Sequence, residues 1–251
     1  PGGVLVVGAS ASGQQIAREL QAAGRQVTLS VGSHLRMPRD YRSVDILFWM
    51  DLMGLFSVPH SQVDDLERVR RLPSLTVVGT PGRDNLDLNV LQGMGVEITG
   101  RLAAIRDGTA LFSGSLHNHC TVADQKMARL MRSIDVWLED HEIADFTPAP
   151  EPWEPTRVPD APRLASNLAR EGIGTVIWAS GFSPDFSWLD MPVFDRKGRL
   201  THDGGLVAPG LYAMGLPYMR TRKSTHIHGA PDDAGALTSH LTQSFDTRIA
   251  A

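Results

Sequence analysis

The chain has 251 residues, of which 42% are hydrophobic and 21% charged, and a formal net charge of −4 from 24 basic and 28 acidic side chains. That composition is typical of a globular protein of one or two domains with a substantial core, and its acidic balance argues against nucleic acid as a partner. No apolar run approaches the about 20 residues needed to cross a bilayer as a helix, no basic leader precedes the first strand pattern, and the single cysteine, Cys120, has no internal disulfide partner; together these predict a cytoplasmic protein that engages no membrane.

The first element is the most informative. Residues 4–7 (VLVV) read as a short buried strand, followed at once by GASASG and then by QQIARELQAAG, in which Ile16, Ala17 and Leu20 lie on one helical face. The turn Gly8, Ala9, Ser10, Ala11, Ser12, Gly13 matches G-x-G-x-x-G with Ser10 in the middle glycine position. Gly8 permits a tight turn, Gly13 permits close packing of helix on strand, and the free N–H groups of the helix start suit a pyrophosphate. A second strand, QVTLSV (26–31), completes a βαβ unit. This predicts dinucleotide binding; the alternative is an α/β turn that binds nothing.

A nicotinamide site that prefers NAD places Asp or Glu at the end of the second strand. Here that position falls near Ser30, and Ser33, His34, Arg36, Arg39 and Arg42 follow. Guanidinium groups favour a 2′-phosphate, so the sequence predicts NADPH, held by Arg36 first and Arg39 second. The alternative is that these arginines are solvated loop charges.

Further along, residues 45–56 read as an apolar helix ending at Gly54, with Trp49, Met50, Met53 and Phe56 either packed in a core or lining a pocket. Residues 61–71 read as a short surface helix whose Arg68, Arg70 and Arg71 are solvated. SLTVVGT (74–80) reads as a strand, and the loop after it leads to a helix with Leu86, Leu88, Val90 and Leu91 on its buried face. Residues 96–113 predict strand, turn and strand, with Asp107-Gly108 as a hairpin signal. HNHC (117–120) has poor spacing for a metal on a strand and no metal companion motif, so no metal site is predicted.

Residues 122–143 predict a long amphipathic helix with Met127, Leu130, Met131, Ile134 and Leu138 as its stripe. The next stretch, 147–163, holds six of the chain's 16 prolines and reads as a crossover without regular structure. TVIWAS then predicts a buried strand, RKGRLTHDGGLV a hairpin, APGLYAMGLPYM a strand with a glycine turn, and DDAGALTSHL a helix with Asp232 or Asp233 near its N-terminus.

Four of these pieces, GASASG, the Arg36 segment, VIWASGF and PGLYAMGLPYMRTRKS followed by DDA, occur in the order found in flavin-containing monooxygenase-type flavoproteins, which the chain resembles over most of its length. WASGF resembles the strand that joins that family's nucleotide and flavin domains, with Ser180 in place of threonine, and GLYAMG resembles its late strand beneath FAD. The resemblance implies an α/β fold: a Rossmann-like NADPH-binding domain with a β-rich insertion (1–147), a proline-rich crossover (148–171), and a C-terminal remnant of a second, FAD-binding Rossmann-like domain (172–251). It implies that NADPH reduces FAD and that O₂ then oxygenates a small organic substrate, the flavin performing the hard step. Ser180 and Gly181 are then placed near the nucleotide, and Gly215, Leu216 and Asp233 near FAD.

No acid–base pair stands out, so no catalytic residue is nominated. The family's N-terminal FAD half, with its own glycine motif, has no counterpart before residue 4. Three readings follow: a fragment of a longer enzyme, a homodimer or partner chain that supplies the flavin-binding half, or a flavin-free NADPH-binding remnant or regulatory subunit. A nicotinamide-only dehydrogenase fits less well, because Tyr-x-x-x-Lys is absent.

Overall fold

The computed structural model describes residues 2–249 except 73, 74, 76 and 78–81, with side chains through residue 245. The strand expected over 74–80 lies largely outside the described residues. The chain forms two compact units, one of residues 1–49 and 73–182 and one of residues 50–72 and 183–251.

The first unit is mixed α/β around a parallel sheet, consistent with a Rossmann-like fold. Strand β1 (Gly3–Val7) leads into helix α1 (Ala11–Ala22) and strand β2 (Val27–Ser30). A tight hairpin follows, β3 (Asp40–Tyr41) and β4 (Val44–Asp45), and then helix α2 (Ile46–Leu52), where the chain passes to the second unit. On its return, helix α4 (Leu88–Gly93) precedes strand β5 (Glu97–Thr99), the hairpin β6 (Leu102–Arg106) and β7 (Thr109–Phe112), and the long helix α5 (Leu116–Asp140). Strands β8 (Ala165–Asn167) and β9 (Ile173–Trp178) end the unit.

The parallel sheet has the order β5-β2-β1-β9, in which β1 is central and the chain steps outward before reversing to the other side. The order reverses at β1, and α/β sheets bind ligands at the carboxyl ends of the strands where such a reversal occurs. All five residues of β1 are buried, as a parallel strand covered on both faces requires. Val4 and Val6 pack with Ala17 of α1, Leu88 and Leu91 of α4, and Leu116 and Cys120 of α5. Leu5 and Val7 face Ala110 and Phe112 of the antiparallel sheet β6-β7-β8.

Several expectations are revised here. The 173–178 strand pairs with β1, so the first unit runs to residue 182 and contains the proline-rich stretch. That strand is half-exposed rather than buried, because among the described residues it pairs with β1 alone, and Trp178 is 63% exposed. Helix α5 begins at Leu116, so HNHC is its first turn. Its apolar stripe, Leu116, Cys120, Ala123, Met127, Met131, Ile134 and Leu138, steps by three and four along the whole element. Val90 turns outward while Leu88 and Leu91 are buried. The proline-rich stretch forms no regular element from 147 to 164.

The β3–β4 turn places two ordinary residues, Arg42 and Ser43, at φ +50° and +58°, a conformation that costs L-residues energy. The Glu151 carboxylate compensates by accepting both turn N–H groups, at 2.8 and 2.9 Å.

The second unit contains helix α3 (Leu66–Val69), the hairpin β10 (Leu206–Ala208) and β11 (Leu211–Tyr212), and helix α6 (Ala230–Ile249). Phe56, Tyr218, Met219 and Leu237 are buried within it. Arg70, read as solvated, donates to the carbonyls of Pro217 and Tyr218 at 3.1 and 3.3 Å. Among the described residues no helix is long and apolar enough to cross a membrane.

Candidate functional site

The turn between β1 and α1 is built by two glycines. Gly8 has φ +112°, and a Cβ there would collide with the carbonyl oxygen of Ala179, just beyond β9. A Cβ on Gly13 would fall on the carbonyl oxygen of Gly8. Both neighbours are backbone, so neither gives way cheaply. The backbone of α1 therefore approaches the ends of β1 and β9 as closely as a chain can, which is what the G-x-x-x-x-G spacing encodes.

Gly8 donates its N–H to the carbonyl of Ser30 at 3.0 Å, which draws the end of β2 to the turn. Ala9 is buried, and its carbonyl accepts from the Gln14 side chain at 2.8 Å. Ser10 is the N-cap of α1, yet its hydroxyl makes no bond to the helix. The N–H groups of Ala11, Ser12 and Gly13 begin the helix, where backbone donors lack intrahelical partners and the dipole is positive. Ser12 is exposed, and Ser180 and Gly181 emerge beyond β9 beside Gly8, the Ser180 nitrogen within 3.3 Å of the Gly8 Cβ position. The structure thus gathers Gly8 to Gly13, Ser30, Ser180 and Gly181 at one end of the sheet. The glycine cradle and the unused first-turn donors fit a pyrophosphate.

The three arginines after β2 do not join them. Arg36 is 9% exposed and bonds Asp87 at 2.6 Å and Asp124 at 2.9 Å. It also donates to the Glu154 carbonyl at 2.8 Å and lies over the Trp153 ring. Burial works against its charge, but the hydrogen bonds to Asp124 and Asp87 outweigh burial and raise its pKa. Every guanidinium nitrogen of Arg36 has a protein acceptor, and the side chain fastens α4, α5 and the proline-rich stretch together. Arg39 pairs with Asp45 at 2.6 Å, and Arg42 with Asp135 at 2.8 Å. Sequence reading missed these carboxylates because they lie between 6 and 93 positions away.

Ser30 is buried. Its hydroxyl donates to the Gly100 carbonyl at 3.0 Å and accepts from the Leu102 N–H at 2.8 Å. His34 is also buried; its Nδ1 lies 3.0 Å from the Gly32 carbonyl, and its Nε2 has no hydrogen-bond partner among the described residues. Desolvation holds its pKa below the ordinary value.

Gly215, Leu216 and Asp233 fall in the second unit. Gly215 has φ +76° with open space at its Cβ position. Asp233 sits in the first turn of α6, 4.0 Å from Arg220, with one buried carboxylate oxygen that has no hydrogen-bond partner among the described residues.

With this strand–turn–helix and sheet order described, the chain can be set beside the proteins it is similar to. Its relatives are named as oxidoreductases. The chain is 26% identical over 243 residues to "Uncharacterized oxidoreductase CzcO-like" of Geobacillus kaustophilus (strain HTA426), an alignment taking in 96% of this chain and 52% of the relative. It is 38% identical over 71 and 72 residues to proteins named "Uncharacterized oxidoreductase CzcO" of Bacillus velezensis and Bacillus subtilis (strain 168), over 28% of this chain and 21% of each relative. The chain thus spans about half the length of the relative it matches from end to end. No family model matches it.

Proposed function

We propose that this chain is the nicotinamide-nucleotide part of an oxidoreductase of the flavin monooxygenase type, which takes hydride equivalents from NADPH, passes them to FAD, and uses O₂ to oxygenate a small organic substrate. The observation that carries the reading is the Gly8–Gly13 cradle, where two Cβ positions are closed by backbone carbonyls beneath unused helix donors. The relatives' names support redox chemistry, and the serine at the end of β2 supports NADPH, because no carboxylate stands there to bond a ribose 2′-OH or to repel a 2′-phosphate.

When bound, NADPH supplies the hydride and the flavin relays it to oxygen. This chain's own part is to bind and orient. The N–H groups of Ala11, Ser12 and Gly13 donate to the pyrophosphate, and the α1 dipole adds favourable potential. Ser180 and Gly181 border the nucleotide from the end of β9. Gly215, Leu216 and Asp233 hold FAD, with the unpartnered Asp233 oxygen accepting a hydrogen bond. The open edge of β9, with exposed Trp178, supports a covering partner, either a second copy or a flavin-binding half.

Calorimetric titration with NADPH and a visible spectrum after FAD loading and desalting test the reading. NADPH binding with a retained flavin band is expected. NADPH binding without retained flavin would favour a flavin-free binding protein, and failure to bind NADPH or NADH at millimolar concentration would overturn the proposal.

A further inference from the structure

With Arg36, Arg39 and Arg42 each engaged by carboxylates, the end of β2 still has a cation beside it. The Arg101 stem lies alongside Gly32, two residues past the strand: a Cβ on Gly32 would be in ordinary contact with it, 3.7 Å from Arg101 Cγ and 3.8 Å from Cδ. Arg101 is exposed, and among the described residues its guanidinium makes no hydrogen bond or ion pair.

The backbone of Arg101 is held with unusual care for an exposed residue. The buried Ser30 hydroxyl accepts from Leu102 and donates to Gly100, so one side chain on β2 grips the residues on both sides of Arg101. The Arg101 carbonyl accepts from the Ser113 N–H at 2.9 Å, and Gly100 packs so tightly on the Ser113 carbonyl that no side chain fits there. Ser113 is in turn two residues before the N-cap of α5, Ser115, whose hydroxyl makes no bond to that helix.

His119, in the first turn of α5, is held below its ordinary pKa by burial first and by the positive charge of Arg101 second. Arg101 is thus fixed at a corner bonded to the last residue of β2 and to Ser113, with its stem alongside Gly32.

We infer that Arg101 is the side chain that reads the 2′-phosphate of NADPH, with Ser30 as the positioning residue that sets the 100–102 corner. The inference rests on the nucleotide reading above and assigns its specificity to a residue outside the loop that follows β2. The physical logic is that the corner between β5 and β6 brings a cation alongside the residues that follow β2. A guanidinium with all its donors unused can meet a phosphate dianion at two oxygens without breaking an existing pair, as Arg36 would have to do.

The test compares binding of adenosine 2′,5′-bisphosphate and 5′-AMP by calorimetry to the whole chain and to Arg101→Gln, Ser30→Ala and Arg36→Lys. The wild type is expected to prefer the bisphosphate. Arg101→Gln should weaken bisphosphate binding by about 10- to 100-fold, the loss of one charge-assisted contact, and leave 5′-AMP unchanged. Ser30→Ala should lower the preference by a smaller factor, and Arg36→Lys should leave it in place. Because Arg101 is exposed, its substitution does not threaten folding. Retained preference in Arg101→Gln, or equal binding of both ligands by the wild type, would overturn this assignment while leaving nucleotide binding intact. Binding of neither ligand would refute the nucleotide reading itself.

Discussion

Replacing Arg36 with alanine separates a structural tie from a ligand contact. The substitution removes the shared partner of Asp87 and Asp124, whose side chains are only 18% and 11% exposed. Removing one member of a buried ion pair costs about 3–5 kcal/mol, because the remaining charge is left without compensation. Both carboxylates keep other donors. Asp87 caps α4 through the Val90 N–H at 2.9 Å, and Asp124 accepts the Thr156 N–H at 2.7 Å and its hydroxyl at 2.8 Å. These contacts place the cost near the lower end, at about 3 kcal/mol. For a unit of this size that corresponds to a fall in Tm of about 6–12 °C. Thermal melts followed by circular dichroism measure it, and NADPH and NADH titrations below the transition complete the comparison. Both affinities should change by the same small factor. An unchanged Tm together with a selective loss of NADPH would refute the structural role and return Arg36 to the ligand.

Gly13→Ala should abolish nucleotide binding and lower stability, because the added methyl meets the Gly8 carbonyl; wild-type affinity in that variant would mean that the cradle is not the site. Cys120 is buried, and burial, reinforced by the Asp124 charge, pushes its thiol up to about 12. It should therefore resist iodoacetamide at pH 8 and react once the protein is unfolded, and rapid labelling of the native chain would contradict this packing. His34 is held neutral by burial, below its ordinary 6.5. The unfolded chain takes up a proton there first, so stability should fall as pH drops below about 6.5. His119, His202 and His226 shift in the same direction, so the test is the difference between wild type and His34→Gln. Parallel pH–stability curves would refute the contribution of His34.

The βαβ unit was legible because its signals are local. Alternation of apolar and turn residues, and two glycines five positions apart, report a strand, a tight corner and a helix whatever surrounds them. The Asp107-Gly108 hairpin, the irregular proline stretch and the final helix were legible for the same reason. The start of α5 was not, since HNHC carries no helical signal and only the stripe beginning at Leu116 explains why that turn is helical. The exposure of β9 also escaped the sequence, because an apolar run records what a strand is able to bury and not whether neighbours cover it.

Charge shows the same division. The sequence by itself determined that cations cluster after β2 and that no carboxylate ends that strand. The tertiary structure decided which cations are free. Arg36, Arg39 and Arg42 meet acids on α5, beside α4 and in β4, whereas Arg101 lies alongside Gly32, just past β2, from the corner between β5 and β6. A local pattern can place a charge on the chain, but its partner is set by which distant segments the packed core brings within about 4 Å, and that distance is a property of the fold.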